Sequence, residues 1–283
     1  MVEIKDFNTL GKPNWCPGCG NYGILMALKQ ALVELELEPH NIFISSGIGC
    51  SGKVPHWIRT YGIHGIHGRP LPPATGVHLA NTELTVIAVG GDGDGYGIGT
   101  AHFIHTMRRN LDITYLVHNN MIYGLTTGQT SPTSSKGFRS KSTPAGVIEV
   151  PVNPIALALA SGATFIARGF AGDVKHLRSL IVEGIRHRGF ALIDIFQPCV
   201  TFNKINTYDF WKERVYKLEE SGHDPRDKNL AWERAQENED KIPIGVFYRE
   251  ERPTYADEIP HLSTPLVKQS LEADITELME EFT

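Results

Sequence analysis

The chain has 283 residues, 41% hydrophobic and 21% charged, with a formal net charge of −5. That is the balance of a soluble globular protein with a real core, and it argues against nucleic-acid or membrane partners. Four cysteines are too few for a secreted disulfide scaffold. The opening M-V-E-I-K-D-F-N lacks an apolar signal region, and no stretch approaches the ~18 apolar residues of a spanning helix. The expected localisation is cytoplasmic.

The first unusual stretch is N-W-C-P-G-C-G-N-Y-G, from Asn14, which sets Cys16 and Cys19 two residues apart. Residues 21–37 then predict an amphipathic helix, with Ile24, Leu25, Leu28, Leu32 and Leu35 at helical spacing. N-I-F-I-S-S-G, from Asn41, reads as a short buried strand, and Cys50 follows it in S-S-G-I-G-C-S-G-K. L-T-V-I-A-V-G-G-D-G, from Leu84, is a continuous apolar run stopped by glycines, the pattern of a buried parallel strand. A helix over 98–109 and a strand from Ile113 come next. The polar stretch Thr130 to Pro144 is long enough to be a binding loop, or equally a mobile surface loop. Helices are expected at 153–162 and 173–188, and strands near 164–167 and 190–196.

Strands alternating with helices predict an α/β fold, a parallel sheet with helices on both faces. Past Cys199 the composition changes. Residues 209–240 are dense in charge and read as surface helix and loop, and I-P-I-G-V-F-Y from Ile242 adds one late strand. The expected division is an α/β domain over 1–200 and a charged extension over 201–283 that meets another subunit.

The stretch richest in chemistry is G-G-D-G-D-G-Y-G, Gly90 to Gly97, at the carboxyl end of a strand. Ligands of open parallel sheets bind at that edge. The glycines allow close approach to an anion. An aspartate within them does not fit a dinucleotide fingerprint, and no Gly-Lys-Ser/Thr follows. Aspartate beside phosphate is reasonable when a divalent cation lies between, and Mg2+ takes carboxylate and phosphate oxygens. The next strand ends in H-N-N-M-I-Y-G, which offers neutral amide oxygens at the same edge.

The cysteines leave several readings open. W-C-P-G-C is similar to the W-C-G-P-C of thioredoxins with the inner pair reversed, so a redox dithiol is one. Zinc is another, although structural zinc usually shows two paired knuckles. The third is a 4Fe–4S cluster, which takes four thiolates. Cys50 and Cys199 each stand just past a predicted strand, so a parallel sheet can bring them to one rim.

G-D-G followed at this interval by N-N resembles the thiamine diphosphate signature. With W-C-P-G-C-G, I-G-C-S-G-K and H-G-R-P-L-P, the chain resembles the beta subunit of 2-oxoacid:ferredoxin oxidoreductases over roughly residues 10–200, plus R-P-T-Y near the C-terminus. The resemblance implies the thiamine diphosphate-binding fold. It implies Asp92, Asn120 and the Ile122 carbonyl as Mg2+ ligands. Further cofactor contacts implied are Ile48, Gly49, Cys50, Ser51, His67, Gly93, Asp94, Gly124 and Leu125. It assigns Cys16, Cys19, Cys50 and Cys199 to a 4Fe–4S cluster.

The implied activity is oxidative decarboxylation of a 2-oxoacid to acyl-CoA and CO2, with electrons passed through the cluster to ferredoxin. Y-G-L-T-T-G-Q-T-S-P-T resembles members acting on 2-oxoglutarate or several oxoacids more than pyruvate-specific ones. A pyruvate enzyme and a non-enzymatic iron–sulfur relay are the alternatives. Single-chain thiamine enzymes such as acetolactate synthases share the diphosphate motif but lack the cysteines. Lys53 and His67 are expected catalytic residues, Lys53 toward the substrate carboxylate. Relatives often carry lysine where Thr127 stands. Only one set of domain signals is present, so the resemblance implies an alpha subunit that carries the pyrimidine-binding domain, in an αβ unit or its dimer.

Overall fold

The computed structural model describes all residues except Leu271, Ala273 and Thr283. In chain order the regular elements are α1 (Asn21–Glu34), β1 (Ile42–Ser46), α2 (Val54–Trp57), β2 (Tyr61–His64), α3 (Leu71–Ala80), β3 (Thr85–Gly91), α4 (Thr100–Arg109) and β4 (Ile113–Asn119). Then come β5 (Ile122–Tyr123), β6 (Gln129–Thr130), α5 (Pro154–Ser161), β7 (Phe165–Phe170), α6 (Val174–Arg186) and β8 (Phe190–Phe196). The chain closes with α7 (Tyr208–Arg214), β9 (Val215–Lys217), α8 (Lys228–Ala235), β10 (Ile242–Arg249) and α9 (Thr276–Glu280). Among the described residues no helix is long and apolar enough to cross a membrane.

The main sheet has eight strands in the order β2-β1-β3-β4-β8-β7-β10-β9. From β2 to β7 every pairing is parallel, whereas β10 runs antiparallel to β7 and β9 is parallel to β10. The apolar runs are continuous because both faces are covered. In β3, Ile87 and Val89 join the core under α1 and α6, while Val86 and Ala88 join the core under α3, α4, α5 and α8. β8 splits the same way, with Ile193 and Ile195 on one side and Phe190 and Leu192 on the other.

Two stretches differ from the sequence reading. Residues 54–80, which it left unassigned, hold α2, β2 and α3. The prolines of L-P-P-A hide α3, yet they stand in its first turn, where the missing N–H costs nothing. Residues 209–240 are mostly exposed helix and loop, as expected, but carry buried anchors that the charge density hides. Trp211 is buried and stacks on Phe196 at 3.8 Å, and α8 turns Ala231 and Ala235 inward, four residues apart. β9 in this segment joins the sheet. R-P-T-Y is also held in place: the Asn110 side chain donates to the carbonyls of Arg252 and Pro253.

A polar network crosses the core beneath the site. Asp194 is fully buried and accepts from Tyr96 Oη at 2.9 Å, from Asn119 Nδ2 at 3.1 Å and from Arg168 Nε at 3.3 Å. The Arg168 guanidinium also lies over the rings of Phe196 and Phe247. Removing one member of a buried pair strands the other charge, at about 3–5 kcal/mol. Asp194→Ala should lower unfolding stability by about that amount in urea titrations. A loss well under 1 kcal/mol would show the pair to be dispensable.

Candidate functional site

β1 has β2 on one side and β3 on the other, so strand order reverses between β1 and β3. A crevice opens at the carboxyl ends of strands at such a point. Here it is a cavity of about 290 Å3. Its walls include Ile48, Gly49, Cys50, Ser51, His67, Asp92, Gly93, Asp94, Asn120, Ile122, Gly124 and Leu125. The sequence reading put each of these at a cofactor or its metal, and the fold brings all of them to one cavity.

Asp92 is buried, and its Oδ2 accepts from Ser131 Oγ and from Thr133 Oγ1, the latter at 2.6 Å. Burial pushes its carboxyl up to about 6, and those two hydroxyls oppose the rise. Thr133 also donates to Asn119 Oδ1 at 3.0 Å, which links Asp92 through Asn119 to Asp194. Asn120 accepts at Oδ1 from the Ile122 N–H at 3.1 Å. Between them Met121 takes a left-handed conformation, φ 58°, which is unusual for a residue with a side chain.

Asp94 works chiefly as a latch. Its Oδ1 accepts from Ile48 N at 3.0 Å, Gly68 N at 2.6 Å and His67 Nδ1 at 2.9 Å. It thereby ties the loop after β1 to the loop before α3. The glycines have a packing reason besides ligand approach. A Cβ on Gly93 would sit 2.2 Å from the Tyr123 ring, and one on Gly95 would sit 2.4 Å from the Tyr115 hydroxyl. His118 also lines the cavity, with Nδ1 paired to Asn21 Oδ1 at 2.8 Å and Nε2 buried without a partner among the described residues.

A second cavity of about 200 Å3 is lined by Cys16, Cys19, Cys50 and Cys199 together. Trp15 donates from Nε1 to the Cys50 carbonyl at 2.7 Å, and Tyr22 donates to the Trp15 carbonyl at 3.0 Å. Cys19 ends a tight turn closed by its N–H on the Cys16 carbonyl and stands just before α1. Burial pushes its thiol up to about 12, and the other three thiols add to the rise. Burial raises Cys50 as well, with Cys199 adding and Lys53 opposing. Lys53 lines this cavity rather than the first, donating to Asn14 Oδ1 at 3.2 Å. Thr127 lines it too, with φ 76°.

The two cavities share Cys50, Asn120, Gly124, Leu125 and Gln197. Sequence reasoning missed Ser131, Thr133, Asn119, His118 and Gln197. The S-P-T inside the polar loop held a usable signal, since a buried carboxylate needs hydroxyl or amide donors. His118 and Asn119 stand in the H-N-N that the sequence analysis picks out without giving either a role, and nothing local marks Gln197.

The family described as the thiamine pyrophosphate enzyme C-terminal TPP binding domain matches residues 47–195, more than half of the chain. The family that describes the C-terminal part of the pyruvate ferredoxin oxidoreductase beta subunit matches residues 199–264. The 2-oxoacid:ferredoxin oxidoreductase subunit beta of Saccharolobus solfataricus is 51% identical over 84% of this chain and 82% of its own length. The chain belongs to the beta subunits of the 2-oxoacid:ferredoxin oxidoreductases. It is therefore part of an oxidoreductase acting on 2-oxoacids, as its motifs implied. The 2-oxoglutarate synthase subunit KorB of Archaeoglobus fulgidus is 37% identical over 88% of this beta subunit and 89% of its own length. The solved 2-oxoglutarate:ferredoxin oxidoreductase from Magnetococcus marinus, with 2-oxoglutarate, coenzyme A and succinyl-CoA bound, superposes with a TM-score of 0.93 at 38% identity, covering 100% of this chain and 96% of that one.

Because Asp94 latches two loops, the residue it packs against should be sensitive. A Cβ on Gly47 would fall 1.9 Å from the Asp94 carboxylate. Gly47→Ala should cost about 1–3 kcal/mol in urea unfolding and weaken thiamine diphosphate binding in the same protein. Wild-type values for both would show that Asp94 can move aside.

Proposed function

We propose that this beta subunit holds thiamine diphosphate through Mg2+ in the first cavity and a 4Fe–4S cluster in the second. With an alpha subunit it oxidatively decarboxylates a 2-oxoacid to acyl-CoA and CO2, passing electrons to ferredoxin. The observation that carries this reading is the common wall: the four cysteines line a cavity that shares residues with the one lined by Asp92 and Asn120.

The donor sets fit the two groups. Asp92, the Asn120 amide oxygen and the Ile122 carbonyl are hard oxygen donors suited to Mg2+. Among the residues lining the first cavity there is no Lys or Arg to balance Asp92 and Asp94, and a divalent cation would supply that balance. Among the described residues no three His, Cys, Asp or Glu side chains gather as they would round one ion. The Mg2+ set uses only one carboxylate, and the four thiols line one cavity together.

Bound thiamine diphosphate supplies the electron sink for decarboxylation, and a bound cluster accepts electrons singly. The residues do the rest. Ser131 and Thr133 hold the Asp92 carboxylate facing the cavity. Ile48 to Ser51, with Gly93, Gly124 and Leu125, form the walls against the cofactor, and His67 is oriented by Asp94. Trp15, Val200 and Phe202 give the thiol cavity apolar walls that limit solvent. Burial favours the neutral thiols of Cys19 and Cys50 when unligated, so metal loading would release protons.

Ile48 and Leu125 line the first cavity and are 37% and 46% exposed, apolar surface suited to an alpha subunit that brings the pyrimidine-binding half. The substrate is 2-oxoglutarate or a broader range of 2-oxoacids, in keeping with the relatives' names.

Co-expressed with its alpha subunit and purified anaerobically, the protein should be brown, with four irons and one thiamine diphosphate per beta chain. It should reduce ferredoxin only when 2-oxoacid and CoA are both present, and the beta chain alone should not. Colourless protein with stoichiometric zinc and no thiamine diphosphate would sink the proposal. Lys53 lines the second cavity and not the first, and its charge acts there on Cys50 of the shared wall. Among the described residues lining either cavity it is the one Lys or Arg, and we propose that it reaches the substrate carboxylate from that wall. Lys53→Ala should raise KM for the oxoacid about tenfold or more, the scale of one lost charge-assisted hydrogen bond. An unchanged KM removes it from that role.

A further inference from the structure

Gln197 follows the last residue of β8 and lies between the two cavities, 2% exposed. Its Nε2 donates to the Pro198 carbonyl at 2.7 Å and to Cys19 Sγ at 3.4 Å. Its Oε1 accepts from Asn120 Nδ2 at 2.9 Å. The surroundings fix which end is which. A carbonyl can only accept, so the nitrogen faces Pro198. Asn120 already accepts from the Ile122 N–H with its oxygen, so it offers Gln197 its nitrogen.

The result is a directed chain of hydrogen bonds from the Ile122 N–H through Asn120 and Gln197 to the Cys19 sulfur. Gly20 permits it, because a Cβ there would stand 3.0 Å from Gln197 Cγ.

We propose that Gln197 is a positioning residue common to both centres: its carbonyl holds Asn120 with the amide oxygen toward the metal ion, and its N–H stabilises the Cys19 thiolate. This rests on the cofactor assignment proposed above. The physical grounds are separate for each end. Partners behind a metal ligand fix its orientation, and their loss typically lowers metal affinity about 10–100-fold. A hydrogen bond to a cluster sulfur favours the more negative, reduced state and so raises the reduction potential. One side chain serving both ties the electron donor's site to the acceptor's.

The test uses the αβ holoenzyme. Wild-type protein is first assayed for iron and thiamine diphosphate. Their absence would remove the cofactor assignment and this inference with it. In loaded protein, two quantities are read: the cluster potential by a redox titration followed by electron paramagnetic resonance, and the Mg2+ concentration that half-saturates thiamine diphosphate binding. Gln197→Met, similar in length and without either polar group, should show a more negative potential and a Mg2+ requirement about tenfold higher or more. Loaded Gln197→Met with either quantity at the wild-type value overturns the shared role.

If Gln197→Met does not retain its cluster, Gln197→Glu separates the ends. Its carboxylate still accepts from Asn120 and cannot donate to sulfur. The potential should fall while the Mg2+ requirement stays at the wild-type value. An unmoved potential in Gln197→Glu overturns the proposal.

Discussion

The site depends on parallel strand register. β3 and β4 are aligned so that Gly91 stands beside His118, and β4 and β8 so that Asn119 stands beside Phe196. The residue after each strand therefore leaves the sheet at the same rim. Asp92 follows Gly91, Asn120 follows Asn119 and Gln197 follows Phe196. β1 pairs with β3 in the same sense, so Gly47 to Cys50 arrive beside them. Slipping one strand by a residue would turn its core side chains to the other face. The alternating apolar residues of β3 and β8, packed under helices on both sides, hold the register against that slip. Core packing thus fixes the relative placement of groups that are far apart in sequence.

The rim is electrostatically costly as it stands. Asp92, Asp94 and the thiols of Cys19 and Cys50 are all shifted toward their neutral forms, in each case chiefly by burial. Nearly every nearby donor is neutral: the hydroxyls of Ser131 and Thr133, the N–H groups of Ile48 and Gly68, and the amide of Gln197. Neutral donors orient an anion without cancelling its charge. At Asp92 and Asp94 the uncancelled charge fits the Mg2+ proposed above, since no Lys or Arg lines that cavity, whereas Lys53 stands by the thiols.

Much of this was legible in the sequence, for identifiable reasons. A buried parallel strand writes itself as an unbroken apolar run, and G-G-D-G at the end of β3 and H-N-N at the end of β4 close such runs. The cysteines announce themselves by spacing and by their position after strands. Four things were hidden. The prolines of α3 read as a break, although they occupy its first turn. The charged 209–240 stretch conceals single buried anchors such as Trp211. Asp94 read as a ligand contact, while its latch on Ile48, His67 and Gly68 exists only after folding. Gln197 has no local mark at all, since the role proposed for it depends on the register between β4 and β8.

The segment joining the two cavities is held in an unfavourable backbone shape. Met121 and Thr127 both have positive φ, at 58° and 76°. Each such residue costs on the order of 1–3 kcal/mol and persists only where its surroundings over-determine it. They do so here. β5 and β6 pair across the turn, Ser134 donates to the Met121 carbonyl, and the N–H groups of Thr127 and Gly128 close on the Gly124 and Tyr123 carbonyls. What the strain secures is the placement of Gly124. A Cβ there would stand 3.5 Å from Cys199 Sγ and 3.8 Å from Cys50 Sγ, and the same residue lines the other cavity. A glycine held in a braced turn gives the thinnest wall a polypeptide can offer between two sites. The electron transfer proposed above requires closeness, and the strained hairpin is the structural means of keeping that wall thin.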